Sequence, residues 1–351
     1  MSFVKDLLRV HLRTLSPYTS ARDEYTGSDG IFLDANENPY GSAAGNGWNR
    51  YPDPYQQQLK NRISEIKDVD PSLLFLGNGS DEPIDLLIRA FCEPGIDKIG
   101  IFLPTYGMYK VSADIQNVGI SVHHLTDTFQ LDIPSFEREV QSNEKIIFVC
   151  SPNNPTGNHL LPEDIEQILS TAPGLVVIDE AYIDFSPDST FVKELSKYEN
   201  LVVLQTFSKA WGMAALRLGM AYASKEIIQI LNNIKSPYNI NGLVQQEALK
   251  ALSQHEKVKA WVVSIEKEKT WLEESLNGLT NVVKIYPSDA NFLLVKFAKS
   301  SELFNNLIAK KVIVRDRSNN YGCENSLRLT IGTRPENEML VKSIKDFLDS
   351  E

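Results

Sequence analysis

From about residue 73 the chain alternates short apolar, β-branched runs with stretches whose apolar residues return every three or four positions. LLFLG (73–77), KIGIFLP (98–104), GISVHHL (119–125), KIIFVC (145–150), LVVID (175–179) and LVVLQTF (201–207) read as strands. DEPIDLLIRAF (81–91), YGMYKVSADIQN (106–117) and PEDIEQILSTA (162–172) read as helices between them. Such alternation predicts an α/β domain whose mainly parallel sheet is covered by helices on both faces.

Beyond about residue 225 the helical period takes over, in IIQILNNIK (227–235) and then over roughly 242–276. Strands in VVKIYPSDANFLLVKF (282–297), a helix SELFNNLIAKK (301–311), the strands VIVRD (312–316) and LRLTIG (327–332) and a closing helix from Glu336 follow. Helices on a small, partly antiparallel sheet predict a second, α+β domain. The first 18 residues predict a short amphipathic helix with Leu7, Leu8 and Leu12 near one face. No internal repeat and no Gly/Ser linker interrupts the chain, so the domains are expected to pack tightly.

Composition acts mainly by exclusion. The 351 residues, 42% hydrophobic and 23% charged, suit an ordinary globular chain with one large and one smaller domain. A net charge of −11 argues against a nucleic-acid or anionic-membrane surface, so any bound phosphate must be met by a local pocket. Cys92, Cys150 and Cys323 are too few and too scattered for a disulfide framework or a zinc site, which fits a reducing compartment. His123 and His124 are adjacent and point to opposite faces of a strand, which disfavours a metal site. With no signal-peptide core and no apolar run of about 18 residues, the expectation is a soluble cytoplasmic protein.

Five peptides fall at the carboxyl ends of predicted strands or just beyond them, where open α/β sheets bind ligands. In GNGSDEP (77–83) the glycines allow close backbone approach, and Ser80 and Asp81 are placed to cap a helix whose N-terminus could hold a phosphate. The alternative is a well-capped helix and nothing more. Glu82 breaks a GxGxxG dinucleotide motif, and no GK[ST] follows to make a Walker loop. In LPTYGMY (103–109) Tyr106 could stack on a planar ligand or simply pack in a loop; in SPNNPTG (151–157) turn formers flank Asn154. VVIDEAY (176–182) ends a very apolar strand with Asp179 and Glu180, and a buried carboxylate is costly unless it meets a cation or a donor. A protonated ring nitrogen would serve Asp179, and Tyr182 could reach the same ligand.

FSKAWGMAALRLG (207–219) supplies Lys209 and Arg217. A lysine beside another cation, or partly desolvated, has its pKa lowered and becomes a nucleophile toward an aldehyde, whereas Arg217 offers a forked anion clamp. A solvated surface lysine is the plainer reading of Lys209 alone. Together the five peptides match each part of pyridoxal 5'-phosphate: phosphate, ring face, ring oxygen, pyridine nitrogen and aldehyde.

In these peptides, with SPYTSAR (16–22), LDANENPYG (33–41), RYPDP (50–54) and LRLTIGT (327–333), the chain resembles the class I/II aminotransferases, fold-type I pyridoxal-phosphate enzymes. The likeness covers nearly the whole chain, and NENP, RYPDP and SDE narrow it to the histidinol-phosphate branch. It implies a large cofactor domain (41–245) around a seven-stranded-type, mainly parallel sheet, and a small α+β domain (246–351) with which an N-terminal segment (1–40) packs. Residue by residue, it implies that Lys209 carries the cofactor covalently and that Asp179 faces the pyridine nitrogen. Asn154 and Tyr182 would bond the ring oxygen, and Tyr106 would stack on the ring. Gly79, Ser80, Asp81, Ser208 and Arg217 would line the phosphate site, joined by Tyr51 from the second subunit of a homodimer with shared active sites.

On the substrate side the resemblance implies that Arg328 grips a carboxylate, that Arg315 and Tyr18 lie around a substrate phosphate, and that Asn36 lies near the site. Trp211 and Met213 stand where relatives vary. The implied activity moves an amino group between L-histidinol phosphate and imidazole acetol phosphate on one side and glutamate and 2-oxoglutarate on the other, in histidine biosynthesis. Lys209 would carry the proton both ways. Alternatives on the same scaffold are an aromatic amino acid aminotransferase and a phospho-amino-acid decarboxylase. A regulator without turnover lacks its basic DNA-binding module here, and a nicotinamide enzyme lacks its GxGxxG.

Overall fold

A computed structural model of the chain describes residues 2–20, 29–45 and 47–349; Ala21 and Arg22 of the SPYTSAR peptide lie outside the described residues. Seven strands form the larger sheet: β1 (Leu74–Asn78), β2 (Lys98–Leu103), β3 (Gly119–His124), β4 (Glu144–Cys150), β5 (Leu175–Asp179), β6 (Leu201–Thr206) and β7 (Leu218–Ala223). Their order is β1-β7-β6-β5-β4-β2-β3, and β7 alone runs against its neighbours. β5 and β6 are buried from end to end, as strands covered on both faces must be, which is why they read as unbroken apolar runs.

Among the described residues eleven α-helices surround the strands: α1 (Phe3–Leu7), α2 (Gln57–Lys67), α3 (Asp81–Phe91), α4 (Met108–Ile115), α5 (Ile133–Glu139), α6 (Pro162–Thr171), α7 (Lys225–Ile234), α8 (Gly242–Leu252), α9 (His255–Leu276), α10 (Ser300–Ala309) and α11 (Arg334–Asp349). Alternation along the strands splits the core in two. Phe75, Val202 and Leu204 pack with Ile84, Leu87, Ile227 and Leu231 of α3 and α7, whereas Leu74, Leu76 and Val203 face the opposite layer.

A second sheet, β10-β11-β9-β8, is antiparallel throughout, from β8 (Val282–Ile285), β9 (Phe292–Phe297), β10 (Arg315–Asp316) and β11 (Ser326–Thr330). In β9, Leu293, Val295 and Phe297 fill the small core with Leu303, Leu327 and Ile344, while Phe292 and Leu294 join the core of the large domain. One strand thus glues the two domains through its two faces. The same alternation in β11 sends Leu327 and Leu329 to the small core and turns Arg328 toward the large domain.

Several expectations change. Residues 2–9 pack on the large domain rather than the small one: Val4, Leu7 and Leu8 are buried against the α3 and α7 layer, Arg9 bonds Glu93 and Ser2 bonds Glu226. An amphipathic stripe specifies burial but not the partner. The boundary at 245/246 cuts through α8, which packs on α2. The helix read over 242–276 breaks at Ser253 and Gln254, and VIVRD contributes only two paired residues. Ser80 makes no side-chain cap on α3, because its own backbone is already helical; the Glu82 carboxylate instead accepts from the Asn78 N–H at 2.6 Å. Glu180 meets donors only: Thr190 Oγ1, Gln205 Nε2 and the Phe191 N–H.

The carboxyl ends of β1, β2, β4, β5 and β6 lie along one edge of the sheet, and antiparallel β7 starts there. Its first residues meet the turn after β1, where a Cβ on Gly219 would stand 2.3 Å from Gly79 C and Ser80 N. Gly219→Ala must therefore push that turn away. The expected cost is about 1–3 kcal/mol in denaturant unfolding, together with weaker retention of any ligand held by residues 79–81. An unfolding midpoint equal to that of the unaltered protein would contradict this packing.

Candidate active site

A cavity of about 520 Å³ opens at this edge, lined by residues of both domains, Ser80, Tyr106, Asn154, Asp179, Tyr182, Ser208, Lys209, Arg217, Arg315 and Arg328 among them. Asp179, the last residue of β5, sits on its floor at 2% exposure. Its Oδ2 accepts from the Tyr109 hydroxyl at 2.6 Å and its Oδ1 from the Ala181 N–H at 3.1 Å. Burial pushes the carboxyl above its ordinary pKa, and these two bonds pull it back only in part. No cation pairs with it among the described residues, so a protonated ring nitrogen would find a buried carboxylate without a counter-charge.

Lys209 follows β6 by three residues and is open to the cavity, with Nζ 5.4 Å from the centroid of the Tyr182 ring. Desolvation lowers its pKa first, and the Arg328 guanidinium adds to this against an opposing pull from Asp179. A lysine so shifted has more free amine at neutral pH and condenses more readily with an aldehyde. Burial raises the Tyr182 hydroxyl well above its usual range, which keeps it a donor. Asn154 is nearly buried, and its Oδ1 accepts from Arg328 Nη1 at 2.6 Å.

At the other end of the cavity Arg217, in a left-handed backbone turn (φ 51°), reaches Asp81 Oδ2 at 3.0 Å and Ser208 Oγ at 3.3 Å. Its carbonyl accepts from the Gly79 N–H at 2.8 Å, which ties the β7 entry to the N-terminus of α3. This is a small anion cradle: a helix start, a guanidinium and a hydroxyl. Tyr106 lines it and donates to Asp81 Oδ1 at 3.1 Å, edge-on to Tyr109. A phosphate here, an aldehyde at Lys209 and a ring nitrogen at Asp179 match the parts of pyridoxal 5'-phosphate, and the cavity volume suits a cofactor-sized ligand.

Some of the predicted site residues lie elsewhere. Tyr51, half exposed, stacks on Tyr238 at 4.6 Å, and with Asn36 it borders a separate groove. Tyr18 is exposed and does not line the cavity. Asn36 and Tyr18, expected near the site, are not brought to it within one chain.

Two residues escaped the sequence reading. Tyr109, in the same PTYGMY peptide as Tyr106, is fully buried, stacked on Phe148 at 4.5 Å and bonded to Asp179. Arg317 lines the cavity beside Arg315 and Arg328. The i, i+3 spacing of Tyr106 and Tyr109 at a helix start was the available signal for the first; period-two alternation after VIVRD was the signal for the second. Among the described residues no group of three metal-ligating side chains occurs, and no helix is long and apolar enough to cross a membrane.

Residues 27–344 match the family model for class I and II aminotransferases. The histidinol-phosphate aminotransferase of Cytophaga hutchinsonii is 52% identical over 348 residues, covering 99% of this chain and all of that one. The enzyme of the same name from Parabacteroides distasonis is 50% identical, with 99% of each chain covered. The crystal structure of the histidinol-phosphate aminotransferase from Clostridium acetobutylicum superposes with a TM-score of 0.80 at 24% identity, over 86% of this chain and 91% of that one, a likeness of fold.

Tyr109→Phe tests the floor of the cavity. Without the hydroxyl, burial drives Asp179 further toward its neutral acid, so the loss of ring-nitrogen binding is greater at lower pH. Equilibrium dialysis should show pyridoxal 5'-phosphate held roughly tenfold more weakly at pH 6 and less affected at pH 8. The same loss at both values would show that Tyr109 only fills space.

Proposed function

Since the chain belongs to the class I and II aminotransferase family, we propose that it is a histidinol-phosphate aminotransferase. It transfers the amino group of glutamate to imidazole acetol phosphate, giving L-histidinol phosphate and 2-oxoglutarate in histidine biosynthesis. The observation that carries the reading is the joint cavity: Lys209 and Asp179 on the large domain face Arg315 and Arg328 on the small one. A site with those arginines is built for anionic substrates, which disfavours the neutral side chains of an aromatic aminotransferase.

Pyridoxal 5'-phosphate is the cofactor; when bound, its aldehyde condenses with amines and its ring takes up the electron pair left when a proton leaves the substrate's α-carbon. Lys209 would hold the cofactor through its aldehyde, and when free its Nζ would take that proton from the α-carbon and return it two atoms along. Its lowered pKa suits a base that must be neutral when it acts. Asp179, oriented by Tyr109, would hold the ring nitrogen protonated, and Asn154 and Tyr182 would bond the ring oxygen. Tyr106 would cover the ring face, while Gly79, Ser80, Asp81, Ser208 and Arg217 would hold the phosphate. Arg328 positions the donor carboxylate, and Arg315 meets the substrate phosphate.

The same reading includes a cytoplasmic homodimer. Ile31, Leu33 and Tyr40 are almost fully exposed near Tyr51 in sequence, an apolar surface that a second copy would cover. Covering it would carry Tyr51 toward the partner's cavity. Light scattering should give twice the 39.5 kDa chain mass; a monomer would overturn this part.

The activity is tested by following glutamate formation from 2-oxoglutarate. L-Histidinol phosphate should exceed phenylalanine and tyrosine in kcat/KM by roughly a hundredfold or more. Preference for the aromatic amino acids would replace the reading, and carbon dioxide release from a phosphorylated amino acid would favour the decarboxylase. Lys209→Ala should lose roughly 10²–10⁴-fold or more in rate and gain no cofactor mass after borohydride reduction. An adduct that survives this change would place the covalent link elsewhere.

A further inference from the structure

The small-domain arginines that line the cavity number one more than the substrate-side pair read from the sequence. Arg315 on β10 stands directly opposite Arg328 on β11, so the two side chains share a face of the antiparallel ladder. Arg317 lies two residues beyond Arg315, and its N–H continues the ladder by donating to the Ser326 carbonyl at 2.9 Å. Period-two alternation returns its side chain to that same face, and all three guanidiniums line the Lys209 cavity.

Like charges across a ladder repel, yet nothing in the cavity neutralises these three. The side chains of Arg315 and Arg317 make no hydrogen bond or ion pair among the described residues, and Arg328 bonds only the neutral Asn154 and lies over the Phe292 ring. The Nε atoms of Arg317 and Arg328 are buried and unpartnered. The two cavity carboxylates are committed elsewhere, Asp81 to Arg217 and Asp179 to Tyr109. Burial and the mutual repulsion of Arg315, Arg317 and Arg328 weaken the Arg317 proton's hold, a cost that an anion between the guanidiniums would reverse.

We propose that Arg317 is a specificity-determining residue that reads the phosphate monoester of the substrate, alongside Arg315 and in addition to the carboxylate-binding Arg328. A carboxylate presents two oxygens and one charge, which one guanidinium fork can saturate. A phosphate monoester presents three peripheral oxygens and close to two charges, and only it has a use for a further guanidinium. Arg317 therefore separates the phosphorylated substrate from glutamate in a site that must take both in turn. The proposal deepens the functional reading above and rests on its phosphorylated substrate.

The test uses the holoenzyme with Arg317→Gln and Arg317→Lys, each first shown to retain its cofactor absorbance. In Arg317→Gln the KM for L-histidinol phosphate should rise roughly 10- to 100-fold, the KM for glutamate less than about threefold, and Arg317→Lys should recover part of the loss. Inorganic phosphate, as a competitor of the glutamate half-reaction, should lose roughly tenfold or more in affinity with the same substitution. Equal rises in both KM values, or an unchanged phosphate inhibition constant, overturn the proposal, as does phosphate that fails to compete in the unaltered protein. If the unaltered protein does not turn over L-histidinol phosphate, the functional reading falls, and the inhibition constants still decide the role of Arg317.

Discussion

The cavity depends on keeping a carboxylate ionisable at the end of a fully buried strand. Asp179 has apolar β5 behind it and, among the described residues, two donors on its carboxylate, the Tyr109 hydroxyl and the Ala181 N–H. Desolvating a carboxylate costs several kcal/mol, so those donors and a ligand cation together decide whether the charge survives. Tyr109 can donate only because α4 begins where it does and because the Phe148 ring holds the phenol flat. A contact of 2.6 Å on the cavity floor is thus set by the β2–α4 turn and the core of the large domain.

The reversed direction of β7 has comparable reach. A parallel strand in that place would bring its carboxyl end to the cavity edge; the antiparallel one brings Arg217 and the close glycine contact with the turn after β1. Lys209, Asp179 and Arg217 consequently come from one sheet and the turns at its edge, whereas Arg315, Arg317 and Arg328 reach the cavity from the other sheet across β9. Because Phe292 and Leu294 seal that joint, the two sets are held in register while remaining on separate scaffolds. Chemistry and selection can then vary independently.

Much of this was legible in the chain itself. β5 and β6 are buried on both faces, so they announce themselves as unbroken apolar runs, and polar residues at their ends stand out: Asp179 and Lys209 are conspicuous for that reason. Tyr109 was not, since a tyrosine on a helix next to a buried strand looks like ordinary core, and its bond to Asp179 crosses 70 residues of sequence. Arg317 lies just past VIVRD, the run read as a strand, so the alternation that returns it to the face of Arg315 had to be carried beyond that run's end, where the structure pairs only two residues. Leu7 and Leu8 were rightly marked for burial, but an apolar stripe names no partner, and the α3 and α7 layer took them instead of the small domain. Ser80 has the composition of a cap without the extended backbone that capping needs.

Net charge and local charge point in opposite directions in this protein. At −11 the whole chain repels anions, yet its central cavity gathers Lys209, Arg217, Arg315, Arg317 and Arg328 around two committed carboxylates. At physiological salt an exposed charge is screened within about 8 Å, so the distant surface carboxylates scarcely register inside the cavity. Partly buried guanidiniums are screened far less and act on one another and on a ligand at short range. Long-range steering therefore contributes little to capture, and recognition of a dianion must be done at contact by groups held close together against their own repulsion. That repulsion is tolerable only in a folded scaffold strong enough to impose it, which the paired strands β10 and β11, backed by the small apolar core, supply.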